Sequence, residues 1–85
     1  MKKITIYSSL ICSYCFSAKK ILENESLDFK EIIVDGDKNI REEMFNRSNG
    51  KTSVPQIFFG NELIGGYDEL KKLETLGLIK KKLHE

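Results

Sequence analysis

The strongest constraint on the fold is a change of hydrophobic period within the first 34 residues. Residues 3–7 are short, β-branched and aromatic, apolar at Ile4 and Ile6, and end at two serines, which reads as a strand. From residue 13 to about 25 the period becomes helical. Phe16, Ala18, Ile21 and Leu22 approximate one apolar stripe, and Lys19, Lys20 and Glu23 suit the wet face. Residues 29–34 return to a strand with Phe29, Ile32, Ile33 and Val34 as its apolar content. Strand, helix and strand in such close succession predict parallel pairing through a right-handed crossover.

The remainder continues the alternation and then breaks it. Asp35-Gly36-Asp37 is a turn, and Asp37 is placed to cap a helix running to about Arg47, with Ile40 and Met44 four apart on one face. Ser48-Asn49-Gly50 stops that helix. Residues 56–59 read as a third strand, Gly60-Asn61 as a two-residue hairpin, and residues 62–64 as the returning fourth strand. A third helix is expected over residues 67–73 and a further one from about Leu76. The expectation is an α/β fold: a four-stranded mixed sheet flanked by three to four helices. With 85 residues, residues 1–85 suit one domain with one core. Phe58 and Phe59 belong to that core.

Composition narrows the partners. Hydrophobic residues make up 40% and charged residues 32%, with a net charge of +1. That balance favours neither nucleic acid nor an acidic membrane surface. The Lys80-Lys81-Lys82 run reads as a solvated helix end. No signal peptide and no apolar run of about 20 residues is visible, so the expected compartment is the cytoplasm. There, stable structural disulfides are rare, and a close cysteine pair is more often catalytic or metal-binding.

The chain has two cysteines, both inside Leu10-Ile11-Cys12-Ser13-Tyr14-Cys15-Phe16, at the junction of the first strand and first helix. Cys12 falls near the helix N-cap, where backbone N–H groups lack intrahelical partners and the dipole favours negative charge. Both effects stabilise a thiolate, which makes Cys12 the candidate nucleophile. Cys15 lies one turn on, expected to be more buried and closer to an ordinary thiol. That asymmetry suits thiol–disulfide exchange, in which one thiolate attacks and the second thiol resolves the mixed disulfide. Two other readings stand beside it. A zinc site needs four ligands, and the chain offers two cysteines and His84, so no metal is expected. Alternatively, the cysteines are packed as small hydrophobes.

A Cys-x-x-Cys opening the first helix of a βαβ unit is the thioredoxin-like redox pattern. Within it, Cys12-Ser13-Tyr14-Cys15 resembles the glutaredoxin motif, usually Cys-Pro-Tyr-Cys. Thr52-Ser53-Val54-Pro55-Gln56-Ile57-Phe58 is similar to the Thr-Val-Pro segment of that family. Gly65-Gly66-Tyr67-Asp68-Glu69 is similar to its Gly-Gly-x-Asp-Asp segment. Arg41-Glu42-Glu43-Met44 and Val34-Asp35-Gly36 also resemble bacterial glutaredoxins, so the likeness covers nearly the whole chain. The resemblance implies a thioredoxin-like fold and a glutathione-dependent thiol–disulfide oxidoreductase with Cys12 and Cys15 as catalytic residues. It implies a cis Val54–Pro55 bond that turns the Val54 backbone toward the active cysteine, where Ser53, Val54 and Pro55 would pair with glutathione. It further implies that Gly66, Tyr67 and Asp68 hold the γ-glutamyl end, and that Tyr14 covers the sulfur region. The implied partners are glutathione, as co-substrate, and glutathionylated or disulfide-containing proteins, with the chain a monomer.

Two positions depart from the family pattern. Many glutaredoxins carry a lysine three residues before the first cysteine, pairing with the glycyl carboxylate of glutathione; this chain has Ser9, with Arg41 or Lys51 as stand-ins for the charge. Ser13 replaces a proline that would constrain the first helical turn. Among glutaredoxins, loss of that proline is associated in some cases with [2Fe–2S] binding between two protomers and two glutathiones. The alternative expectation is therefore a cluster carrier that dimerises through Cys12 and glutathione.

Overall fold

Strands and helices follow one another in the expected order. The structure is a computed structural model describing residues 1–85. The elements are β1 (Ile4–Ser8), α1 (Ser13–Asn24), β2 (Lys30–Ile33), α2 (Lys38–Arg47), β3 (Gln56–Phe59), β4 (Glu62–Gly65), α3 (Tyr67–Thr75) and α4 (Ile79–Leu83). Strand order is β2-β1-β3-β4. β1 and β2 run parallel across the α1 crossover, whereas β1–β3 and β3–β4 are antiparallel. No helix is long and apolar enough to cross a membrane.

Alternation along the two central strands sorts their side chains onto two faces. Ile4, Ile6, Ile57 and Phe59 point to one side and meet Ala18, Ile21 and Leu22 of α1, Leu70 of α3, and Ile79 and Leu83 of α4. Tyr7 and Phe58 point to the other side and meet Val34, just after β2, and Met44 of α2. The Tyr7 and Phe58 rings pack edge to face with centroids 5.7 Å apart. Both phenylalanines of β3 are core residues, as expected. Burying each such side chain stabilises by about 1.5–3 kcal/mol relative to exposure.

One side of α1 differs from the expected stripe. Phe16 is 61% exposed, and the inward positions are Cys15, Ala18, Ile21 and Leu22. Cys15, Ala18 and Leu22 follow the i, i+3, i+7 spacing of one helical face, and Phe16 sits a quarter-turn outside it. Its ring lies in solvent with the Lys20 ammonium 5.9 Å from its centroid.

Turn chemistry follows the sequence closely. Asp37 is the N-cap of α2, its carboxylate accepting from the N–H groups of Asn39 and Ile40 at 3.0 Å each. Gly60 opens the β3–β4 hairpin at φ +61°, the positive φ that a type II′ turn requires at its first central position. Of the terminal lysine run, Lys82 pairs with Glu62 at 2.9 Å, tying α4 to β4.

Candidate active site

The site is assembled where two helices begin. Cys12 is the N-cap of α1, in extended backbone at φ −109°, ψ 111°. Its sulfur accepts the Cys15 N–H at 3.1 Å, so the thiol does what a Ser or Asp side chain does at an ordinary N-cap. No acidic residue occupies the first turn of α1, so no carboxylate competes for that end of the helix. Across from it, the Cys12 thiol points at the Val54 carbonyl oxygen 3.7 Å away. The Val54–Pro55 bond is cis, as the resemblance implied.

Cys15 differs from expectation in degree. It is 1% exposed, and its thiol is pushed up to about 12. Burial is the largest cause, followed by the hydrogen bond to Cys12; the Ser9 backbone and Lys19 pull in the opposite direction. Cys15 therefore stays protonated across the neutral range, well above an ordinary thiol. Both cysteines are free.

A groove of about 260 Å³ opens beside the pair, lined by Tyr14, Ser53, Val54, Pro55, Gly66, Tyr67, Asp68 and Glu69. All seven non-cysteine candidates from the sequence line it. Tyr14 and Tyr67 form one wall, with centroids 5.6 Å apart. The end of α3 forms another. Gly66 is its N-cap, and the Gly66 N–H is taken by the Glu69 carboxylate at 2.6 Å. The N–H groups of Tyr67 and Asp68, at the first two helical positions, have no intrahelical acceptor. Asp68 sits in the first turn and does not serve as the N-cap, which leaves its carboxylate to the groove.

The paired glycines are required by this packing. Gly65 has φ +124°, and a Cβ there would come within 2.6 Å of Glu69 Oε1. A Cβ on Gly66 would lie 3.3 Å from the Pro55 carbonyl oxygen, so that wall would have to give by a few tenths of an ångström.

Three residues outside the sequence-based set brace the segments around the site. Glu69 closes α3, and its spacing from Gly66, three residues, is a capping-box signal that could have revealed it. Gln56 donates through Nε2 to the Ser53 carbonyl at 3.0 Å and the Ser53 hydroxyl at 3.3 Å, bracing the turn before Pro55. Asp35 accepts from the Ser9 hydroxyl at 2.6 Å. Ser9 is thus engaged with Asp35, and neither Ser9, Arg41 nor Lys51 lines the groove. No group of three or more His, Cys, Asp or Glu side chains comes together as a metal site.

A mixed sheet carrying Cys-x-x-Cys at the start of its first helix, opposite a cis X-Pro bond, defines the thioredoxin-like class. The family model for glutaredoxin matches residues 4–64. Glutaredoxin 3 of Escherichia coli K12 is 43% identical over 77 residues, which is 91% of this chain and 92% of that protein. The solution structure of glutaredoxin from Brucella melitensis superposes with a TM-score of 0.84 at 37% identity, covering 98% of this chain and 89% of that one. A buckwheat glutaredoxin–glutathione complex shares the fold, with a TM-score of 0.85 at 23% identity, covering 98% and 77%. The chain belongs to the glutaredoxin family, and its activity is that of a thiol–disulfide oxidoreductase.

Proposed function

We propose that this chain uses glutathione as its reductant, with Cys12 attacking and Cys15 resolving. One observation carries the reading: the Cys12 sulfur caps α1 while facing Val54, a wall of the groove that ends at Asp68. A ligand in that groove reaches the sulfur at one end and the start of α3 at the other. Glutathione suits both ends. Its γ-glutamyl carboxylate matches the Tyr67 and Asp68 N–H groups at the helix start, and its ammonium matches the Asp68 carboxylate. The extended peptide runs along residues 53–55 as an added strand would. The buckwheat glutaredoxin of the same fold is a glutathione complex, which supports the choice.

The Cys12 thiolate attacks the glutathionyl sulfur of a mixed disulfide. A Cys12–glutathione disulfide forms, and the substrate thiolate leaves and takes a proton. A second glutathione thiolate attacks the glutathionyl sulfur on Cys12, releasing oxidised glutathione and restoring the Cys12 thiolate. With a protein disulfide, the Cys12 thiolate attacks one sulfur and the other leaves as a thiolate; Cys15 then surrenders its proton, attacks the Cys12 sulfur and expels the substrate's second thiolate, and both leaving thiolates take up protons. Two glutathiones then reduce the Cys12–Cys15 disulfide.

The buried Cys15 thiol sets which cysteine acts first. In the reduced protein Cys15 stays protonated, so the attacking sulfur is that of Cys12. Once Cys12 is a disulfide, its hydrogen bond and its charge no longer hold the Cys15 proton, and only burial still raises it. Resolution by Cys15 is therefore gated by formation of the mixed disulfide.

The test is release of glutathione from a glutathionylated peptide, coupled to glutathione reductase. The wild-type protein and Cys15→Ser should both turn over with a rate that saturates in glutathione. Cys15→Ser should lose reduction of protein disulfides, and Cys12→Ser should lose both activities. A rate independent of glutathione, or activity retained in Cys12→Ser, would refute the proposal. No observation in the site favours the cluster-carrying alternative over this reading.

A further inference from the structure

We infer that Asp35 is a positioning residue for Cys12: its carboxylate ties the loop before the cysteine to the end of β2 and so holds the sulfur at the α1 N-cap. Residues 9–11 connect β1 to Cys12, and burial does not hold them. Leu10 is 78% exposed and Ile11 is 94% exposed. What holds the loop is a set of hydrogen bonds that converge on one carboxylate. Asp35 Oδ1 accepts the Ser9 hydroxyl at 2.6 Å, and Oδ2 accepts the Leu10 N–H at 2.8 Å. The Ser9 hydroxyl in turn accepts the Ile11 N–H at 3.3 Å, and the Ser9 carbonyl accepts the Cys12 N–H at 3.4 Å. The chain of bonds thus runs from Asp35 to the backbone of the cysteine itself.

The anchor is rigid. Asp35 follows Val34, which is fully buried and bonded through its N–H to the Ser8 carbonyl at 2.9 Å. It then leads into the Asp37 cap of α2. The Asp35 carboxylate is held below its ordinary range, first by the Ser9 hydroxyl and then by the Leu10 N–H, so it remains an ionised double acceptor at neutral pH. It does not line the groove. Its action is on the placement of the sulfur, and small misplacements of a reacting atom are costly in rate. At position 9 this chain therefore carries a hydroxyl that secures the nucleophile's own loop.

The inference rests on Cys12 being the nucleophile, as proposed above, and not on glutathione being the ligand. Two readouts separate the cases: alkylation of Cys12 by iodoacetamide at pH 7, which needs no glutathione, and the coupled turnover assay. Asp35→Ala removes both acceptors, whereas Asp35→Asn keeps an acceptor for Leu10 and a donor for the Ser9 oxygen. Asp35→Ala should slow alkylation and lower kcat about ten-fold with KM within about two-fold of wild type. Asp35→Asn should restore both to within about two-fold. If Asp35→Ala does not fold, Ser9→Ala carries the test, with an expected drop of about three-fold in alkylation. Wild-type alkylation in Asp35→Ala or in Ser9→Ala would overturn the inference. So would an Asp35→Asn protein as impaired as Asp35→Ala, which would make charge the cause, or a change confined to KM. Normal dependence of alkylation on Asp35 without glutathione turnover would retain this inference and refute the glutathione reading alone.

Discussion

α1 and α3 both begin at the groove, yet they answer the positive end of a helix in opposite ways. α1 has no carboxylate in its first turn and is capped by the sulfur of Cys12. α3 has two, Asp68 and Glu69, and is capped by Glu69 through the Gly66 N–H. At α1 no side-chain charge meets the helix end, and the Cys12 sulfur takes up one of its N–H groups. At α3 part of the helix-end charge is already answered. What remains is a mixed surface of two N–H groups and one spare carboxylate, which suits a ligand end carrying both signs. Under the proposed function, the same local geometry makes one helix start the reaction centre and the other the recognition site.

Three substitutions separate the two helix starts. The largest effect is expected from Asp68→Asn, which removes the groove's spare charge. KM for a glutathionylated peptide should rise about ten-fold, the scale of a lost charge-assisted hydrogen bond, with kcat nearly unchanged. A fall in kcat instead would assign Asp68 to the reaction end. Glu69→Ala should act on stability, because it uncaps α3. It should cost about 1 kcal/mol, and with it some 4–8 °C of melting temperature for a domain of this size. A large KM change without a melting shift would show that Glu69 belongs to recognition. The smallest effect is expected at α1. Ser13 is its first helical residue, and the extended backbone of Cys12 already suits a following proline. Ser13→Pro should raise stability by about 0.4–1 kcal/mol, read as a higher melting temperature. Destabilisation there would mean that the Ser13 N–H has an acceptor in the folded protein.

The contrast between these helix starts also marks what the sequence could disclose. Cys12 at the α1 start, Asp37 at the α2 start and the Gly60-Asn61 hairpin were all legible, because each depends on residues within three or four positions. The groove residues were legible only through resemblance, since residues 53–55 and 66–68 meet Tyr14 through the tertiary fold. Phe16 lies outside because apolar character does not fix burial; a quarter-turn on the helix decides it, and Cys15 takes the inward position. Asp35 falls in a family-like segment, and nothing in its sequence neighbourhood gives it a role. Its partners Ser9 and Leu10 lie 26 and 25 residues away, a separation that no local pattern records. The height of the Cys15 proton affinity was invisible for the same reason, since it arises from burial among neighbours brought in by folding.

The most direct test of a sulfur end and a recognition end is to trap glutathione on Cys12 in the Cys15→Ser protein and compare amide resonances with the unmodified protein. One glutathione should attach, at Cys12. The Val54, Tyr67 and Asp68 amides should shift with it, while the Gly66 amide, held by Glu69, should move least. Shifts confined to residues 9–16, with α3 undisturbed, would contradict this, because the ligand would then be held by its sulfur alone.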